Sequence, residues 1–390
     1  MSDIGAWTND IHTGDAVKTL AELPESSIHM CMTSPPYFGL RDYGVDGQIG
    51  LESELEEYIE ELVDVFREVR RVLRPDGSAW LNLGDSYDGG KNKMLVPHRV
   101  AIALQEDGWI VRNDVTWAKP NPMPQSVKDR LNTTTEQVFH LVPEPDYWYD
   151  LDAIREPYSE SMKRRADAGY KSKHGGAERD GWGGGDHHEG GGLLDDSQTY
   201  ADTMHPAGKN PGDVFEVTTK PFPEAHFAVY PPELCEKPIK ATCSPKVCAE
   251  CGSPYERVVD RTRPSKKELA KITNGRVSQR SEDEMADTVL GNKVRGQELR
   301  EWKRNNPDEF KGWEPTCDCD TDATEAGIAL DPFAGAGTTL LKAKELGRKF
   351  VGIELNPEYA DMARARIGLS PHDPSNVRDD DDQHGLEAYD

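Results

Sequence analysis

No uninterrupted apolar run in this chain approaches the roughly 18 residues that a membrane span requires, and no basic-then-apolar leader opens it. Those absences lead to the expectation of a cytoplasmic protein, neither embedded in a membrane nor secreted. Cysteine is sparse. Seven residues in 390 are too few for a disulfide framework, and four of them stand in two close pairs, which reads as a reducing compartment with a metal site. Positive charge is also short, with 46 Lys and Arg against 71 Asp and Glu for a net charge of −25. That balance excludes nonspecific coating of nucleic acid at ordinary salt, so any nucleic-acid site must be local. One source of the surplus acid would be a halophilic cell, in which molar salt cuts the Debye length to about 3 Å and screens self-repulsion. The lysine depletion that would strengthen this reading is absent, since 22 Lys stand beside 24 Arg. What is present, 36% hydrophobic residues over 390 positions, suffices for one large or two modest domains with a real core.

Strand and helix patterns alternate in the first third. The apolar run Ile28–Thr33 ends in Ser-Pro-Pro, and Leu55, Tyr58, Ile59, Leu62, Phe66, Val69 and Leu73 then recur at helical spacing until Pro75-Asp76-Gly77 stops them. A strand over Ser78–Leu83, a helix over about Val96–Glu106 and a strand over Trp109–Trp117 follow, as in a parallel α/β sheet. Periodicity is lost between Tyr158 and Gly212, where two glycine triplets flank His187 and His188, to which no role is assigned. A second irregular stretch, Arg261–Lys311, opens with Arg261, Arg263, Lys266, Lys267, Lys271, Arg276 and Arg280 against Glu268 alone, a local basic run that could contact phosphate. The α/β pattern then returns: strand Ile328–Leu330, a glycine turn, a helix to about Gly347, strand Phe350–Ile353, and a helix from Pro357 that Asn356 caps.

Two loops carry chemistry. Ser34-Pro35-Pro36-Tyr37 follows a predicted strand, and its two prolines, lacking N–H groups and fixed in φ, display carbonyl acceptors stiffly beside a hydroxyl and an aromatic ring. Such a corner suits an amino group on a flat ring. The nitrogen of a nucleobase amino group is a poor nucleophile because its lone pair is delocalised. Acceptance of its hydrogens by Ser34 and the Pro35 carbonyl, with Tyr37 stacked on the ring, would let it pyramidalise and attack. The second loop, Asp331-Pro332-Phe333-Ala334-Gly335-Ala336-Gly337-Thr338, runs from a strand through a glycine turn into a helix start that favours an anionic group. Glu354 ends the next strand at the spacing where an acid meets ribose hydroxyls, which implies a nucleoside-containing cofactor. Leu340 stands where a dinucleotide fingerprint would have its third glycine, which weakens an oxidoreductase reading.

Together these loops resemble the amino-group DNA methyltransferases, which methylate N4 of cytosine or N6 of adenine from S-adenosylmethionine. Thr33–Tyr37 is similar to the family's catalytic loop, and Asp331–Gly337 to its cofactor loop. The catalytic loop comes first, as in the permuted β-type arrangement, which termini lying close together would tolerate. The resemblance implies an α/β, Rossmann-like methyltransferase fold in circularly permuted order, with a small Cys-rich insertion. It implies cofactor contacts from Asp331, Phe333, Gly335, Gly337, Thr338 and Glu354, and from Asp15 within His12-Thr13-Gly14-Asp15. Asp213–Phe215, His226-Phe227-Ala228, Pro231 and Leu234 are similar to the segment before the cofactor strand, and Trp117–Pro122 with Lys128-Asp129-Arg130 also fits.

Ser34 in first place, after Met32-Thr33, is the form associated with cytosine N4 enzymes, with adenine N6 as the alternative. Implied with it are double-stranded DNA as partner, base flipping, and a cognate restriction endonuclease. No general base can be named from sequence. A C5 mechanism would need a thiolate, and Cys31 lies within an apolar strand.

Cys248, Cys251, Cys317 and Cys319 can furnish a tetrahedral thiolate site for Zn²⁺, with Cys243 as a substitute ligand and Cys235 as packing. A rival reading makes the chain a zinc-dependent DNA-binding protein on a non-catalytic scaffold. The expected organisation is 1–157 as the catalytic half, 158–212 as an insertion and candidate target-recognition region, and 213–242 as a cofactor-pocket segment. Residues 243–320 form the candidate zinc and basic insertion, 321–370 the cofactor half, and 371–390 an acidic tail too polar to order itself.

Overall fold

The computed structural model describes residues 4–168, 204–205, 207–220, 229–260, 264–265, 268, 302, 305–306 and 309–369. The glycine triplets with His187 and His188, the segment His226–Ala228, the basic residues of Arg261–Arg280 and the acidic tail from Pro371 lie outside these described residues. In chain order the elements are β1 (Asp10–Thr13), α1 (Ala16–Glu22), β2 (Ile28–Thr33), α2 (Leu55–Val72), β3 (Leu73–Leu83), α3 (Val96–Glu106), β4 (Ile110–Ala118) and β5 (Thr135–Val142). There follow α4 (Glu160–Asp167), β6 (Val214–Glu216), α5 (Pro232–Thr242), β7 (Val247–Cys248), β8 (Tyr255–Asp260), β9 (Glu309–Pro315), β10 (Thr324–Glu325), β11 (Ile328–Asp331), α6 (Thr338–Glu345), β12 (Lys349–Glu354) and α7 (Pro357–Ile367).

Two compact units divide the chain. The larger takes Met1–Tyr149, Asp213–Pro254 and Pro315–Asp390, and the smaller takes Asp150–Gly212 and Tyr255–Glu314. Within the larger, one sheet runs in the order β1-β12-β11-β2-β3-β5-β4-β6. Every neighbouring pair is parallel except those of β5, which is antiparallel to both β3 and β4. The purely parallel expectation fails at β5 for a local reason: the connection from β4, residues 119–134, contains no helix to carry the chain back across the sheet, so the strand returns in the opposite direction.

Strand periodicity assigns the two faces. Cys31, Ala79, Leu81, Leu330, Val351 and Ile353 pack with Leu20, Leu62, Phe66 and Leu104 of α1, α2 and α3. Their neighbours Met30, Met32, Trp80, Ala329 and Phe350 pack with Leu234, Ile239, Leu340 and Ala363 of α5, α6 and α7. Each such fully buried large side chain contributes about 1.5–3 kcal/mol. Helix α2 ends at Val72, and Pro75-Asp76-Gly77 lies inside β3 instead of separating it from the helix. The register explains this, because Ile28 faces Leu73 but Met30 faces Ser78, so the Pro-Asp-Gly triplet is a bulge on the strand.

In the smaller unit β8 pairs with β9, and Arg257 makes a two-pronged ion pair with buried Asp150 while lying over the rings of Phe310 and Trp313, 4.9 Å from each centroid. Ser159 caps α4 by accepting the N–H of Met162.

His140 gives the main sheet a pH dependence. Its ring stacks on Trp80 with centroids 4.2 Å apart, and burial followed by the nearby Arg112 charge lowers its pKa to about 3. The imidazole is therefore neutral when folded, and its stabilising contribution is present above the ordinary histidine value and lost as pH falls through the window from 6.5 towards 3. The loss between pH 7.5 and 5 is expected to be about 2 kcal/mol. Urea unfolding at the two pH values should show wild type losing that much more than His140→Phe, which keeps a stacked ring without the titration.

Candidate active site

Strands β2 and β11 lie side by side, with Met30 opposite Ala329 and Cys31 opposite Leu330, so the loops that follow them emerge together. The junction is a direct one: Thr33 Oγ1 donates to Asp331 Oδ1 at 2.6 Å, across 298 residues of sequence. Asp331 is wholly buried. It also accepts the Phe333 N–H at 3.2 Å and the Tyr230 hydroxyl at 3.2 Å, and burial pushes its carboxyl up to about 6.

A cavity opens at these strand ends. Among the sequence-predicted residues, Asp15, Ser34, Pro36, Phe333, Gly335, Thr338 and Glu354 line it, joined by Tyr43, Tyr359 and Met362. Pro35, Tyr37, Asp331 and Gly337 do not; they stand behind the wall. Asp331 is a strut between the two loops. Gly337 begins α6 against Ala363 and Ile367 of α7. Asp15 caps α1 by accepting the Lys18 N–H at 3.0 Å.

Gly335 (φ +49°) donates its N–H to Glu354 Oε2 at 2.7 Å, and Asn356 N–H reaches Oε1 at 2.9 Å. Burial raises the Glu354 pKa against the pull of these two donors. A side chain at Gly335 would meet nothing nearer than the Phe333 carbonyl at 4.0 Å, so the glycine leaves open a space that a β-carbon would begin to fill. An aromatic side chain, an exposed backbone turn and a carboxylate at a strand end fit a nucleoside bearing a charged tail.

Behind Ser34 lies a polar chain with one direction. Ser34 Oγ donates to the Tyr37 hydroxyl at 3.1 Å, and that hydroxyl donates to Glu136 Oε2 at 2.7 Å. Asn82 Nδ2 donates to Ser34 Oγ at 3.2 Å, to Tyr37 Oη at 2.8 Å and to Glu136 Oε2 at 2.9 Å. Lys119 pairs with the other oxygen of Glu136. Because the hydroxyl protons run towards the carboxylate, Ser34 keeps a lone pair, not a proton, for whatever enters the cavity. The Tyr37 ring is seated against Gly84, where a β-carbon would fall 2.5 Å from Cε2. Burial, then the Glu136 charge, raises the Tyr37 pKa well above its ordinary value, so the phenol stays protonated.

Sequence reasoning missed Asn82, Glu136 and Tyr230. Asn82 had a signal, since it is an amide inside the strand run Ala79-Trp80-Leu81-Asn82-Leu83, where an unpaired polar group would be costly. Glu136 and Tyr230 had none, because their roles exist only through contacts distant in sequence.

The chain matches the N6/N4 DNA methylase family over residues 28–248 and 322–365. It is 31% identical over 385 residues to the type II methyltransferase M.SmaI of Serratia marcescens, a match taking in 92% of this chain and 90% of that protein. To the type II methyltransferase M.SfiI of Streptomyces fimbriatus it is 51% identical over 178 residues, 41% of this chain and 42% of that one. Among solved structures, PvuII DNA methyltransferase (cytosine-N4-specific) superposes with a TM-score of 0.50 at 16% identity, covering 92% of this chain and 86% of the other, a likeness of fold alone.

Proposed function

The chain belongs to the N6/N4 DNA methylase family, and from that premise we propose that it transfers a methyl group from S-adenosylmethionine to the exocyclic N4 of cytosine in duplex DNA. The observation that carries the proposal is the setting of Ser34, whose proton is committed to Tyr37 and which lines the same cavity as Gly335 and Glu354.

Phe333, Gly335 and Glu354 would hold the cofactor, with Asp15 and Thr338 at the same wall. When bound, S-adenosylmethionine would supply an electrophilic methyl on a sulfonium, the S–C bond breaking to leave a neutral thioether and the methylated nitrogen losing one proton to water, so no residue needs to activate the carbon. The chain's own work is on the amino group. Ser34 Oγ, on a residue of the cavity wall, accepts one of its hydrogens, which draws the nitrogen towards a tetrahedral shape and localises its lone pair. The Pro36 carbonyl is not available for this, since the Tyr58 hydroxyl donates to it at 2.9 Å and fixes the loop. Glu136, Tyr37 and Asn82 hold Ser34 in the accepting orientation. A flipped base would reach this corner, because the amino nitrogen of a stacked base pair is inaccessible.

The preference for cytosine rests on serine at position 34. The type II relatives support a restriction-modification setting, with an endonuclease of the same specificity as partner. The four clustered cysteines are read as a Zn²⁺ site. Among the described residues no helix is long and apolar enough to cross a membrane.

Modified DNA digested to nucleosides and weighed by mass spectrometry tests the reading. N4-methyldeoxycytidine is the expected product. N6-methyldeoxyadenosine would move the target to adenine, and DNA binding without any methyl transfer would leave the scaffold reading in its place.

A further inference from the structure

The Sγ atoms of Cys248, Cys251, Cys317 and Cys319 all lie within 4.8 Å of one another, and none of the four is in a disulfide. A tetrahedral site with Zn–S bonds of about 2.3 Å places its sulfurs about 3.8 Å apart, so a small contraction of this cluster would close it. We propose that these four thiols bind one Zn²⁺ and that its task is structural: it staples the base of the segment that leaves the larger unit after Pro254 and re-enters it at Pro315.

The ligand set argues for structure over chemistry. Four sulfurs fill a tetrahedral shell and leave no open position for water or substrate, as in structural zinc sites and unlike catalytic ones. All-sulfur coordination also disfavours magnesium and calcium, which take oxygen. The local backbone is arranged for it. Cys248 sits on β7, which pairs with β10 so that Cys248 faces Thr324, and the turn between the first two cysteines is closed by the Gly252 N–H donating to the Cys248 carbonyl at 2.8 Å. Thr316, just before the second pair, donates its hydroxyl to the Pro254 carbonyl at 2.7 Å.

The position in the fold agrees. Arg74, at the start of β3, donates to the Cys251 carbonyl at 3.0 Å. His29 Nδ1 accepts the Ile328 N–H at 3.0 Å, so Nε2 carries the proton and donates to the Gly252 carbonyl at 3.0 Å. The cysteine turn is thus tied to the first residues of β2, β3 and β11, whereas Ser34 and Asp331 lie at the far ends of β2 and β11. Six residues of β2 separate the two places by roughly 17 Å. A metal there takes no part in methyl transfer. What it does is hold together two chain positions, 254 and 315, between which a long segment would otherwise impose its closure entropy on the re-entry of β10 and β11.

The full chain, purified without chelator, is expected to carry about one zinc per molecule. A mercurial that consumes the four thiols should release it, and exchange for Co²⁺ should produce thiolate-to-metal charge-transfer absorption with tetrahedral d–d bands. The double variant Cys317→Ser, Cys319→Ser should lose zinc at least tenfold and melt roughly 5 °C or more lower. Should that variant be insoluble, the metal content and cobalt spectrum of the wild-type chain decide alone. Protein that is metal-free as purified and gives no tetrahedral cobalt spectrum would overturn the proposal, and so would iron in place of zinc or a double variant that keeps its zinc. Metal content and melting temperature report on this site whether or not the chain methylates DNA.

Discussion

Ser34→Ala is expected to lower the rate of methyl transfer by roughly 10²–10³-fold, the usual cost of removing one preorganised polar partner from a transition state. S-adenosylmethionine affinity should be unchanged, because the groups assigned to the cofactor, Phe333, Gly335 and Glu354, keep their own partners without Ser34. In the proposed mechanism Ser34 Oγ is the acceptor that draws a hydrogen from the target amino group while the nitrogen becomes tetrahedral, so its loss would weigh on the transition state more than on the ground state. Single-turnover rates with saturating cofactor and DNA, beside equilibrium cofactor binding, separate the two. An alanine variant with wild-type single-turnover rates would remove Ser34 from the mechanism and with it the central claim about the cavity.

Much of this was legible in the sequence, for reasons that can be located. Asn356 before Pro357 announced a helix start because the cap is local: the Asn356 side chain accepts the Glu358 N–H at 2.9 Å. Ile28–Thr33 and Ile328–Leu330 were readable as buried strands because apolar runs between turn signals need nothing distant to explain them. The two loops expected to carry chemistry stand out as Ser-Pro-Pro-Tyr and a glycine turn, and the sheet sets them next to each other through the β2–β11 pairing. What sequence could not give was direction and support. The reversed course of β5 follows from the lack of a crossover helix in residues 119–134. Asp331 was expected to touch the cofactor, yet its carboxylate is consumed by Thr33, Phe333 and Tyr230. Pro75-Asp76-Gly77 looked like a stop and is a bulge, because the partner strand continues past it.

Glu136→Gln is the sharper test of how the site is held, and it is expected to slow methyl transfer roughly ten- to a hundredfold, the equivalent of one hydrogen bond to a charged group. Glu136 does not line the cavity. In the proposed mechanism it is a positioning residue: its carboxylate accepts from Tyr37 and Asn82, and so would fix the direction in which the Ser34 proton points. A glutamine amide can turn an N–H towards Tyr37, reverse that chain and aim the serine proton into the cavity, where it opposes an amino hydrogen. Since the effect passes through the serine hydroxyl, it should vanish where that hydroxyl is absent: Glu136→Gln added to Ser34→Ala should cost little more than Ser34→Ala alone. General damage to the fold would instead make the two losses multiply. Glu136→Asp, which keeps the charge, should recover part of the rate. Multiplicative losses, with no recovery by aspartate, would reduce Glu136 to a partner of Lys119 and leave the orientation of Ser34 without a cause.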